Sequence, residues 1–306
     1  MCVSIFERVA PHQRTLMAAP VAPRRVLFIG NSLTYFNGGV DAALLGLRRS
    51  SGDQDFVVHS VVQGGASLKR LWQKTKAKQE IGAPGTAKGH DGSCVAGIPA
   101  GAAYDAVVLQ EDLPETTVEL FGSFAAKFVG RCREHGATPV LYGTWAYDRL
   151  GWIDDAGVEA ATLDVGRGLG VDVAKVGAAR ARLRAALPDV NLWADDMEHP
   201  SPEGTYLAAL VLHAALGFGS ARGLGYAPEG VAGEVAESLQ RVAEGGVADG
   251  SLIARFAAAA AGAAAGAAAG AADGAAAAPG QGESIFPAEE GGGAQAAQAP
   301  PGAAEK

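Results

Sequence analysis

The sequence predicts a doubly wound α/β fold, with about five parallel strands and helices on both faces of the sheet. Short runs of branched apolar residues alternate five times with helical periodicities, the pattern of a parallel sheet covered on both sides. Several runs stop at glycine or at a polar residue, as buried strands do where the chain must turn. Four polar sites also fall just after strands or in the last loop, the edge of an open parallel sheet where ligands bind.

The first strand is Arg25 to Ile29, ending at Gly30, and a helix follows from about Val40. Asp55 to Val62 reads as the second strand, closed by Gly64 and Gly65, after which Ser67 caps a helix carried by Leu68, Leu71 and Trp72. Residues 74–103 lose all periodicity and are rich in Gly, Lys and Pro, so they are expected as an irregular insertion or a lid. Tyr104 to Gln110 is the third strand, Glu115 to His135 is helical by its Leu120, Phe124, Phe128 spacing, and Pro139 to Tyr142 is the fourth strand.

A helix over Asp154 to Leu169, a strand at Val171 to Val176 and a helix at Ala178 to Leu187 complete the alternation. Ser201 to Leu216 is the last core helix, with Pro202 in its first turn and Gly217 just past its end. Residues 229–262 read as helical and peripheral. The domain plan is a disordered leader over 1–23, the α/β body over 24–225, a helical segment over 226–262 and an Ala/Gly-rich tail over 263–306. That tail has too few large side chains to offset the entropy of ordering.

Composition excludes several classes. The 306 residues carry a formal charge of −8, which disfavours binding to a phosphate backbone. Cys2, Cys94 and Cys132 have no metal-binding spacing, and nothing calls for a metal or another cofactor. A metal set of Asp195, Glu198 and His199 has poor zinc geometry. No run of bulky apolar residues reaches the roughly 18 to 20 a membrane span needs. A cytoplasmic location is expected; the leader, with four arginines against one acid, keeps an organellar alternative open.

The polar groups at the sheet edge are Ser32 after the first strand, Gly65 after the second, Gln110 and Glu111 at the end of the third, and Asp196 with His199 before the last helix. Acyl transfer needs a hydroxyl nucleophile, an imidazole to take its proton, a carboxylate to orient that imidazole, and donors aimed at an oxyanion. Each part has a candidate. Gly30 allows a tight exit from the strand, Gly65 lets its N–H approach a substrate, and the Gln110 amide can donate.

These motifs resemble the SGNH, or GDSL-type, hydrolase superfamily. GNSLT at Gly30 to Thr34 is similar to the family's nucleophile block, in the variant with Asn in second place. VVQGGASL at Val61 to Leu68 resembles the block that supplies a glycine N–H to the oxyanion hole, with Gly65 preferred and Gly64 as fallback. DMEHPSPEGTYLAA from Asp196 resembles the DxxH block, and Asp195 is the alternative orienter. The third block departs: the family usually has GxND, and this chain reads VVLQED at Val107 to Asp112, so the oxyanion-binding role passes to Gln110.

The resemblance implies a flavodoxin-like SGNH hydrolase fold and a serine esterase without cofactor. Ser32, Asp196 and His199 would be catalytic, and Ser32, Gly65 and Gln110 would form the oxyanion hole. Apart from the resemblance, Asn31, Glu111 and Trp145 are candidate substrate contacts, Trp145 by its place after the fourth strand, with Glu111 alternatively capping the following helix. The implied substrate is a short acyl ester, including O-acetyl groups on carbohydrate. Oligomeric state is open. Taken alone, GxS is an ordinary turn, DxxH is an ordinary helix cap, and core packing is the default for tryptophan. Two rivals stand beside the esterase: a flavodoxin-like ligand-binding module, which leaves Asp196 and His199 unused, and a catalytically silent homologue, which would bind sugar without hydrolysis.

Overall fold

Strands β1 (Arg25–Gly30), β2 (Val57–Val62), β3 (Ala106–Gln110), β4 (Thr138–Gly143) and β5 (Asp172–Lys175) form one sheet in the order β2-β1-β3-β4-β5. Every pairing is parallel, so the expected fold class is the observed one. The computed structural model describes residues 22–85 and 102–244, except 114 and 148. The expectations for most of the leader, the middle of the insertion and the tail lie outside the described residues.

Alternation along each strand sends side chains to two separate cores. Val26, Phe28, Val58, Val108, Val140 and Tyr142 face a cluster closed by α2 (Val40–Ser50), α7 (Val176–Ala186), α8 (Pro202–Ala215) and α9 (Gly233–Glu244). Leu27, Ile29, Val107, Leu109 and Leu141 face a second one, closed by α3 (Leu68–Lys74), α4 (Ala77–Gly82), α5 (Val118–Glu134) and α6 (Asp155–Leu169). α1 (Ser32–Tyr35) is a single turn directly after β1.

Local chemistry explains the helix limits. Ser67, Thr117, Asp154 and Ser201 each cap a helix by accepting a backbone N–H two or three positions into it, and α8 has Pro202 at its first position. α8 is buried nearly all round because β-sheet, α2, α7 and α9 surround it.

Two expectations are corrected. The stretch 74–103 is not irregular from its start, since Ala77–Gly82 is helical and buries Ala77, Glu80 and Ile81; a six-residue helix is too short to register as a periodicity. Nor is the described part of the segment after 226 peripheral. α9 puts Ala236, Leu239 and Ala243 into the first core, and Gln240 Nε2 donates to Tyr206 Oη (3.1 Å) and to the Leu224 carbonyl (3.0 Å). Among the described residues no helix is long and apolar enough to cross a membrane.

Candidate active site

The register brings the ends of β1, β2 and β3 level, with Gly30 opposite Val62 and Ile29 opposite Leu109. The order β2-β1-β3 makes the gap beyond β1 and β3 the switch point of the sheet, where an open parallel sheet leaves room for a ligand. Ser32 emerges there. Asn31 precedes it and caps α1, its Oδ1 accepting from the Leu33 N–H at 3.0 Å. A Cβ on Gly30 would sit 2.5 Å from Gln110 Oε1 and 2.6 Å from Thr34 Oγ1, so glycine is required for the chain to pass between them.

His199 reaches the same point from the loop ahead of α8. Its Nε2 lies 2.7 Å from Ser32 Oγ, and its Nδ1 lies 2.5 Å from Asp196 Oδ2. Asp196 Oδ1 accepts from the Glu198 and His199 N–H groups at 3.0 and 2.9 Å, which locks the loop around the carboxylate. Burial pushes the Asp196 carboxyl up, but the hydrogen bonds from the His199 ring and from the two N–H groups outweigh it and hold the group below its ordinary value. Asp196, and not Asp195, therefore pairs with the ring.

Two aromatic and amide contacts tie this loop to the nucleophile turn. Phe36 stacks on the His199 ring. Asn37, in the left-handed region at φ 51°, donates from Nδ2 to the Pro200 carbonyl at 2.6 Å and to Thr205 Oγ1 at 3.0 Å. Asparagine is one of the few side chains that tolerates that backbone.

Gly65 is exposed and has φ 58°. Among the described residues neither its N–H nor that of Ser32 is bonded to another group. Gly64 is more constrained, because a Cβ there would lie 2.9 Å from Tyr35 Oη.

The remaining expected site residues lie behind this surface. Gln110 is wholly buried; its Oε1 accepts from the Asn31 N–H (2.7 Å) and Thr34 Oγ1 (3.1 Å), and its Nε2 donates to the Glu111 carbonyl (2.7 Å). It faces the underside of the Ser32 turn, and its amide is not presented to a ligand. Asn31 is also buried. Glu111 Oε1 accepts from Leu68 N–H at 3.1 Å and from Asp112 N–H at 2.7 Å, anchoring the segment just after Gly65. Its other oxygen is buried without a hydrogen-bond partner among the described residues. Desolvation raises the Glu111 carboxyl to about 7, the two N–H bonds opposing and the Asp112 charge adding to the rise. Trp145 is buried completely and donates from Nε1 to the Glu198 carbonyl at 3.1 Å.

Several residues without a motif complete the surroundings. Tyr147 Oη donates to Asp112 Oδ1 at 2.7 Å. Burial raises the Asp112 carboxyl, the Tyr147 bond opposes this, and the charges of Glu115 and Glu198 add to the rise. Arg149 bridges Glu115 and Glu198 in a pair of ion pairs. A basic residue in the loop after the fourth strand was the only sequence signal for that bridge.

No family model matches the chain, and no curated protein matches it significantly. Solved structures are similar to it. A candidate SGNH hydrolase from Slackia heliotrinireducens is 28% identical, with 63% of this chain and 98% of that one covered and a TM-score of 0.47. A DUF4886 family protein from Bacteroides uniformis is 19% identical over 72% of this chain and 93% of that one, with a TM-score of 0.49. A catalytic mutant of an acetylxylan esterase from Geobacillus stearothermophilus is 15% identical over 65% and 97%, with a TM-score of 0.47. At these TM-scores the likeness adds nothing to the geometry, which alone carries the chemistry.

Proposed function

We propose that the chain is a serine hydrolase of the SGNH type that cleaves short acyl esters through Ser32. The observation that carries this is the continuous line from Ser32 Oγ to His199 Nε2 at 2.7 Å and from His199 Nδ1 to Asp196 Oδ2 at 2.5 Å, at the switch point of the sheet. A neutral imidazole whose Nδ1–H donates to Asp196 presents a bare Nε2 to the serine hydroxyl, the tautomer that general-base catalysis requires.

In this proposal Ser32 Oγ attacks the ester carbonyl carbon while His199 Nε2 takes the hydroxyl proton. The carbonyl π pair moves to oxygen, and the Ser32 and Gly65 N–H groups receive that oxyanion. Collapse expels the alcohol, which takes its proton from His199 Nε2, and leaves an acyl group on Ser32. Water, deprotonated by the same nitrogen, then releases the acid. Gln110 contributes from below by holding the Asn31 N–H and the Thr34 hydroxyl, which sets the turn that aims Ser32. The family resemblance extends the proposed substrates to O-acetyl groups on carbohydrate.

The test is hydrolysis of p-nitrophenyl acetate by the full chain beside Ser32→Ala and His199→Ala. Each variant is expected to lose about 10³-fold or more in kcat. A folded wild-type chain that releases no p-nitrophenol above background would end the esterase proposal.

A further inference from the structure

Arg180 lies on α7 and is 1% exposed. Its guanidinium carbon is 4.1 Å from the ring centre of Trp145 and 4.3 Å from that of Trp193. The two indoles meet edge to face, 6.3 Å apart and at 76°, so one planar cation lies against two aromatic surfaces.

Trp145 through its indole and Trp193 through its backbone hold the two sides of the loop that carries Asp196 and His199. Trp145 Nε1–H donates to the carbonyl of Glu198, the residue before His199. Trp193 forms an antiparallel bridge with Pro200, the residue after it, and the Ala194 N–H donates to the His199 carbonyl at 2.8 Å. The first turn of α8 closes on the same cation, since a Cβ on Gly204 would lie 2.8 Å from Arg180 Nη1 and 2.7 Å from the Leu192 carbonyl.

Burying a cation has a desolvation cost, and apolar side chains of similar volume often fill such places with equal or better stability. A methionine could occupy the volume here. It could not make the cation–π contacts by which the guanidinium ties the two indoles together. An ammonium, a compact and strongly hydrated point charge, lacks the broad delocalised surface that reaches both rings.

We infer that Arg180 is a positioning residue for His199: by holding Trp145 and Trp193 it fixes the Glu198 carbonyl and Pro200, and through them the imidazole against Ser32. This rests on the esterase proposal for its kinetic consequence and on geometry alone for the placement of the ring.

The experiment compares the full chain with Arg180→Met, Arg180→Lys and Trp145→Phe. It reads kcat and KM on p-nitrophenyl acetate, the thermal melt, and the downfield proton resonance expected from the short His199 Nδ1 to Asp196 contact. Arg180→Met is expected to melt within a few degrees of wild type while kcat falls at least about tenfold, KM moves less than about threefold, and the resonance shifts or broadens. Arg180→Lys should do the same, because a compact ammonium does not restore contact with both rings. Trp145→Phe removes the donor to Glu198 together with part of the ring that Arg180 lies against, so it should lower kcat in the same sense even where an Arg180 variant does not fold. Wild-type kcat and an unmoved resonance in Arg180→Met or Trp145→Phe would overturn the inference. So would a kcat loss no larger than the loss of folded protein. In a wild-type chain without turnover the esterase proposal falls, and the resonance alone decides the role of Arg180.

Discussion

Phe36 lies almost flat against His199, with ring centroids 4.4 Å apart and planes 19° apart. The imidazole is thereby confined on one face by Phe36 and along its length by Ser32 and Asp196. Phe36→Leu removes the flat wall and leaves a void beside the ring, so kcat is expected to fall about three- to tenfold with little change in KM, while Phe36→Tyr retains near-normal kcat. Steady-state kinetics on p-nitrophenyl acetate check both; equal rates for the Leu and Tyr variants would contradict the stacking role.

Asp196→Asn keeps the shape of the loop but gives His199 Nδ1 an amide that can donate as well as accept, which allows the wrong tautomer. The expected loss in kcat is about 10²- to 10⁴-fold, measured with the variant shown to be folded by circular dichroism. An Asp195→Asn variant is expected to keep wild-type kcat within about threefold. The opposite ranking would reassign the orienting carboxylate.

Glu111 predicts a pH signature in stability. Its folded-state value of about 7 lies above the ordinary 4.5, so between those values the folded chain binds more protons than the unfolded one. Stability contributed by this group is therefore present at acid pH and lost as pH rises through that window. Glu111→Gln keeps an acceptor for the Leu68 and Asp112 N–H groups and removes the titration. The variant is expected to gain on the order of 2–3 kcal/mol relative to wild type between pH 5 and pH 8. Denaturant melts at the two pH values measure this, and a gain that does not change with pH would contradict it.

Gly65 has open space where a Cβ would go, so a substitution there is opposed by backbone conformation and not by a clash. Gly65→Ala should cost about 1–2 kcal/mol of stability or shift the turn out of φ 58°, lowering kcat as the N–H turns away. Gly65→Asn, which tolerates the left-handed region, should lose less on both counts. An alanine variant with wild-type kcat would remove Gly65 from the proposed oxyanion hole.

The strands and the DxxH loop were legible because buried parallel strands and a capped helix leave strong local patterns: β3 is buried from Ala106 to Gln110, and Ser201 and Pro202 mark the start of α8. The direction in which Gln110 spends its carboxamide was not legible. An amide can donate or accept, and only the approach of Asn31 N–H and Thr34 across the sheet decides it. Phe36 and Asn37 sit in a turn without periodicity, so their contacts to His199 and Pro200, more than 160 residues away in sequence, left no local trace. The burial of Arg180 leaves no local trace on its helix, because it depends on Trp145 and Trp193 meeting around it. Local pattern thus places the backbone of the site, and long-range packing assigns the side chains their work.

The most direct measurement is to incubate the full chain with a fluorophosphonate probe and map the adduct by peptide mass spectrometry. The account predicts one adduct, on the peptide that carries Ser32, absent in Ser32→Ala and formed much more slowly in His199→Ala. A folded chain that forms no adduct, or one whose labelling is unchanged in Ser32→Ala, would contradict it.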